Sequence, residues 1–152
     1  MGLTNFTKYL HIYNKSKLLG DPLSKYEIIH ITGTNGKGTF THKTALALSL
    51  AGYKTGQFMS PHVSTFRERI VVDQQMIEKE FVGEFIKFLN SHLEEAEKLS
   101  YFDLITMMAF KYWEEKKIDI ATLEVGVGGR LDSTNIVPHP ALSVITGIGL
   151  DH

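Results

Sequence analysis

The strongest constraint in this 152-residue chain is a short apolar run that ends in a glycine-rich turn. Ile28-Ile29-His30-Ile31 has the length and β-branched content of a buried strand. It runs directly into Thr32-Gly33-Thr34-Asn35-Gly36-Lys37-Gly38-Thr39. Beyond Gly38, Phe40, Ala45, Ala47, Leu48, Leu50 and Ala51 recur at helical spacing, and Gly52 supplies a stop. A strand, a tight glycine loop and a helix in that order restrict the chain to an α/β architecture.

The rest of the pattern agrees. Residues 54–59 read as a weaker strand, and Arg69-Ile70-Val71-Val72-Asp73 as part of a hairpin outside the main sheet. From 77 to about 98, Phe81, Val82, Phe85, Phe88, Leu89 and His92 share one helical face. A further helix is expected over 102–116, with Ile105, Met108, Ala109 and Tyr112 inward. Residues 118–123 and 141–146 read as two more central strands. Strands alternating with helices predict a mostly parallel sheet with flanking helices, in a single domain over residues 1–152. Because the sequence stops at Asp151-His152, directly after a strand, the expectation is an incomplete, truncated domain.

Composition narrows the classes. Hydrophobic residues make up 43% and charged residues 22%, as in ordinary globular proteins. A net charge of -1 gives no general attraction to nucleic acid or to an acidic membrane. No stretch approaches the roughly 20 apolar residues that span a bilayer. The absence of cysteine removes disulfides and thiolate zinc sites. The economical reading is a cytoplasmic protein, monomeric if intact, that handles small molecules.

The loop has a chemical rationale residue by residue. Glycines let backbone N–H groups turn toward one point, and the amino end of the helix adds partial positive charge there. Asn35, Gly36, Lys37, Gly38 and Thr39 therefore form a candidate cradle for the phosphates of ATP, with the Lys37 ammonium between the outer phosphates. The Thr39 hydroxyl could face a magnesium ion. The strict Walker spacing fails, because Ile31 stands where its first glycine belongs and Gly38 follows Lys37. Glu124, at the end of the 118–123 strand, is placed where parallel sheets present side chains to a ligand crevice. A carboxylate there suits a hard cation such as Mg2+. Gly126-Val127-Gly128-Gly129-Arg130 is too glycine-dense for a strand and reads as a tight loop, whose Arg130 could hold a carboxylate or phosphate.

These motifs, with Leu19-Gly20-Asp21-Pro22, Ser60-Pro61-His62, Glu68-Arg69-Ile70, Leu99-Ser100-Tyr101-Phe102-Asp103, the run from Gly126 through Leu131-Asp132-Ser133-Thr134-Asn135, and Gly149-Leu150-Asp151-His152, resemble the folylpolyglutamate synthase and dihydrofolate synthase family. That family is a branch of the Mur ligase superfamily. The resemblance implies the P-loop NTPase-like central domain of Mur-type ligases, without the carboxy-terminal glutamate-ligase domain. It implies an ATP- and Mg2+-dependent ligase that adds L-glutamate to a folate or dihydropteroate carboxylate through an acyl phosphate. Lys37 and Glu124 would be catalytic, and Ser60, Glu124 and His152 would form the metal site. Phe102, Arg130 and Asp132 would lie by the folate-type substrate, and His62, Arg67, Glu68 and Arg69 in a loop over it. By itself the chain is expected to be an inactive fragment. Two alternatives stay open: a Mur-type ligase of cell-wall precursors, and a non-catalytic nucleotide- or folate-binding module.

Overall fold

Unbroken apolar runs make strands that need cover on both faces, and the molecule supplies it. In the computed structural model, which describes residues 20–92 and 99–150, the first strand β1 (Glu27–Thr32) lies between two parallel neighbours. These are β5 (Ile120–Glu124) and β6 (Leu142–Ile145). Ile28 and Ile31 are almost fully enclosed, as are Ala121 and Leu123. The next strand, β2 (Thr55–Phe58), is parallel to β5. A short hairpin of β3 (Ile70–Val72) and β4 (Gln75–Met76) completes the order β4-β3-β2-β5-β1-β6.

Two expectations about strands need correction. The hairpin is not outside the sheet: β3 pairs antiparallel with β2 through Gly56–Val72, Gln57–Val71 and Phe58–Ile70. The physical reason is that Ile70, Val71 and Val72 are all buried, and joining the sheet both covers them and satisfies the free edge of β2. The 141–146 run is not central either. β6 ends the sheet among the described residues, and Leu142 and Ile145 are exposed.

Helices cover both faces. Side chains alternate across a strand, and adjacent residues of β2 meet different helices. Gly56 approaches Trp113 of α3 (Tyr101–Lys116), whereas Gln57 Oε1 bonds His42 Nδ1 of α1 (Lys37–Leu50) at 3.1 Å. Thus α1 and α3 flank opposite faces. A Cβ at Gly56 would lie 2.9 Å from the indole, so only glycine admits Trp113 so closely. Between α1 and α3 in the chain comes α2 (Lys79–Asn90), which buries Phe81 and Phe85 as its spacing predicts. Residues 93–98, assigned to the same helix from the sequence, lie outside the described residues.

Helix α3 begins with a reciprocal cap. Ser100 Oγ accepts from the Asp103 N–H at 3.2 Å, and the Ser100 N–H donates to Asp103 Oδ2 at 2.8 Å. Its inward residues are those expected, joined by Met107, Phe110 and Trp113, because the sheet, α2 and the turn Pro22–Ser24 enclose it. Helix α1 departs from its sequence reading. Ala45 is buried, but Phe40 and Leu50 are exposed at 39% and 81%. Tyr53, just beyond the end of this helix, is likewise exposed.

Candidate functional site

The loop between β1 and α1 is held from behind by the chain that follows β6. Thr34 N–H donates to the Gly147 carbonyl at 2.8 Å, and Asn35 N–H reaches the same oxygen at 3.3 Å. Thr34 Oγ1 donates to the Gly149 carbonyl or accepts from the Gly149 N–H, at 3.1 and 3.0 Å. Gly33 has φ 136° and abuts the Thr146 side chain, so a side chain there would clash in a conformation that already favours glycine. One amide of the expected cradle, that of Asn35, is therefore engaged by Gly147, together with that of Thr34 just before it. Those of Gly36, Lys37, Gly38 and Thr39, at the amino end of α1, have no backbone acceptor among the described residues. Asn35 and Thr39 are exposed, and Lys37 is half-buried.

Lys37 Nζ donates to the carbonyls of Gly33 at 2.8 Å and Thr34 at 3.3 Å. Its ammonium thus sits inside the loop. Two clefts meet at this point. One, of about 490 Å³, is lined by Thr32, Gly33, Thr34, Gly128 and Gly149. The other, of about 630 Å³, is lined by Pro61, Arg69, Ser100, Phe102, Leu131 and Asp132. Lys37, Gly126 and Val127 belong to both.

Glu124 ends β5 beside this junction, almost fully enclosed. Its Oε2 accepts the Ser60 N–H at 3.2 Å, and a Cβ at Gly38 would lie 3.6 Å from the same oxygen. Burial raises the Glu124 carboxyl above the ordinary carboxylate range, opposed by the Ser60 N–H and the Lys37 charge. A buried carboxylate of this kind is an oxygen donor that suits a hard divalent ion. Among the described residues there is no group of three or more His, Asp or Glu side chains arranged for a metal. His152, assigned to the metal site from the resemblance, lies outside the described residues, as do Leu19 and Asp151.

The glycine loop after β5 is fixed by Asp132. Asp132 Oδ2 accepts from Val127 N–H at 2.9 Å, while Oδ1 accepts from the N–H and hydroxyl of Thr134 at 3.0 and 2.7 Å. Since the Thr134 hydroxyl donates to Asp132, its oxygen accepts from His30 Nε2 at 2.9 Å. Burial lowers the His30 imidazole below its usual range, against the pull of Asp132. Gly126 passes so close to Phe102 that a Cβ would lie 2.7 Å from its Cζ. Phe102 is therefore both wall and packing residue, with its ring 5.7 Å from that of Phe58. Arg130 stands apart: it is exposed and lines neither cleft.

Opposite Phe102, the 61–69 segment is tied down by Glu68. Its carboxylate accepts from the N–H groups of Val63, Ser64 and Thr65 at 2.8, 3.0 and 2.9 Å. Those bonds hold the Glu68 carboxyl below its ordinary range. Sequence reasoning missed the residues that complete the picture, namely Ser100, Leu131 and Ser133 as cleft walls and residues 146–149 as the loop's brace. The Gly147-Ile148-Gly149 spacing was the available signal for the last.

The mixed, mostly parallel sheet with helices on both faces, and the loop between β1 and α1, place the chain in the class of Mur-ligase-type α/β domains. No family model matches it. The chain is 41% identical over 140 residues to dihydrofolate synthase/folylpolyglutamate synthase of Bacillus subtilis, covering 88% of this chain and 32% of that protein. The crystal structure of folylpolyglutamate synthase from Thermotoga maritima superposes with a TM-score of 0.87 at 41% identity, covering 93% of this chain and 35% of that one. A folylpolyglutamate synthase complexed with AMPPCP and folate gives 0.85 at 34% identity, covering 95% and 36%. The chain belongs to the folylpolyglutamate synthase and dihydrofolate synthase family, and it spans about a quarter to a third of the length of the relatives it matches.

Proposed function

We propose that this chain carries the nucleotide site and the acid-substrate wall of an ATP-dependent ligase that adds L-glutamate to the carboxylate of a folate or dihydropteroate. The observation that carries the reading is the position of Lys37 at the junction of two clefts, one walled by the phosphate loop and the other by Phe102 and Asp132. A phosphoryl group held at that junction is within reach of a carboxylate entering from the aromatic side.

In this reading the amides of Gly36 to Thr39 and the Lys37 ammonium bind the outer phosphates of ATP. A carboxylate oxygen of the acid attacks the terminal phosphorus, the bond to ADP breaks, and an acyl phosphate results. The amino group of glutamate then displaces phosphate and loses a proton, leaving the amide. Glu124, with Ser60 beside it, is where a magnesium ion would be held, and that ion would supply charge neutralisation on the phosphates. The protein's own contribution is positioning and electrostatics: Lys37 offsets developing negative charge, and Asp132 keeps the glycine loop in register. The metal and substrate roles of Ser60, Glu124, Phe102 and Asp132 are part of this proposal.

Support comes from the family, and from the complex of a relative with AMPPCP and folate. Calorimetric titration of the purified chain with magnesium-AMPPCP, then with pteroate or with a UDP-linked sugar peptide, tests it. Nucleotide binding followed by pteroate binding is expected. Binding of the sugar peptide instead, or no nucleotide binding by a folded sample, would overturn it.

A further inference from the structure

Arg69 stands at the end of the turn Phe66–Arg69, one residue before β3, so the sheet fixes its backbone. Its carbonyl accepts the Met59 N–H at 3.1 Å. The side chain lines the larger cleft, as Phe102 does. Arg69 Nε donates to His62 Nδ1 at 2.8 Å, and the guanidinium carbon lies 5.9 Å from the centroid of the Tyr101 ring. One edge and one face of the planar group are thereby held. Among the described residues the two terminal nitrogens meet no acceptor.

The nearby carboxylates are committed elsewhere. Glu68 spends both oxygens on the N–H groups of Val63, Ser64 and Thr65. Asp132 spends its oxygens on Val127 and Thr134. Arg69 therefore presents an oriented, unneutralised fork to a cleft whose other walls include Phe102, Pro61 and Leu131. A fork of paired N–H donors matches the two oxygens of a carboxylate, and the apolar walls match an aromatic ring.

We infer that Arg69 receives a carboxylate of the aromatic acid bound in this cleft, through its two terminal nitrogens, with His62 as the positioning residue that holds the fork. The inference rests on the reading of this cleft as the acid-substrate site. It assigns the anion contact to Arg69 and not to the exposed Arg130.

The test compares pteroate with its carboxamide, pteroamide, by calorimetry on the full chain saturated with magnesium-AMPPCP, so that Lys37 is engaged by phosphate. The parent protein is expected to prefer the carboxylate by about tenfold or more, the range of a hydrogen bond to a charged group. In Arg69→Gln that preference should collapse to near parity, with AMPPCP affinity unchanged. Arg69→Lys keeps the charge but not the fork, so it should retain only part of the preference. Should Arg69→Gln fail to fold, as read by its thermal melt, Arg69→Lys decides, and an undiminished preference there overturns the assignment. An undiminished preference in folded Arg69→Gln overturns it as well. If the parent protein binds neither compound, the function proposed for the cleft fails and takes this assignment with it.

Discussion

The two helices that flank the sheet on opposite faces are built on different terms. Helix α3 buries nine residues, among them Trp113, Phe110 and Met107, and its face holds most of the apolar core. Helix α1 buries only Thr41 and Ala45 and leaves Phe40 and Leu50 exposed. Its amino end follows the glycine loop into which Lys37 folds back. The α3 face therefore holds most of the apolar core, while the α1 face presents the loop and Lys37. The amino end of α3 reaches the site only through Ser100 and Phe102 in the wall of the larger cleft. Stability and ligand chemistry are largely separated, so substitutions on the two sides should differ in kind.

The largest effect should come from the packed side. Trp113→Ala removes a fully buried indole that packs on Gly56, Tyr26 and Phe110, and is expected to cost about 4 kcal/mol in denaturant unfolding. A small cost would dissolve the contrast. Lys37→Ala tests the other side. It should weaken AMPPCP binding by about a hundredfold, from the loss of charge-assisted bonds to phosphate, with the melting curve in the absence of ligand barely moved. A large loss of stability in that variant would show that the loop lysine serves the fold.

Glu124→Gln sharpens the comparison, because this group belongs to the site yet is buried like the core. Burial raises its folded carboxyl above the unfolded value, so protonation favours the folded state. The penalty on the charged form is absent below the ordinary carboxylate range and grows as pH rises through the raised folded value. Glu124→Gln should therefore raise the melting temperature at neutral pH, and the gain should vanish in acid. A gain independent of pH would refute the electrostatic origin. The smallest effect is expected for Leu50→Ser, within about 0.5 kcal/mol, because that side chain is already in water.

What the sequence revealed follows the same division. Strand β1, the loop and α3 were legible because periodicity reports burial, and there the buried residues are contiguous in sequence. Helix α1 misled, since Phe40 and Leu50 fit a helical stripe that the fold leaves uncovered. The hairpin was misplaced because pairing of β3 with β2 depends on a free edge, which no local pattern encodes. At the candidate site, the placement of Lys37 in the loop and of Glu124 at the end of β5 was legible from type and position. The bond of His30 to Thr134, the stacking of Arg69 on Tyr101 and the brace of residues 146–149 depend on segments distant in sequence, and only the folded chain brings them together.

That brace has a temporal corollary. Thr34 and Asn35 are made early, but the carbonyl that holds them belongs to Gly147, more than a hundred residues later. On a ribosome, the strand and helix on either side of the loop emerge long before their latch. The loop should therefore stay unbraced until Gly147 has emerged, by which time the strands from β1 to β6 have all been made.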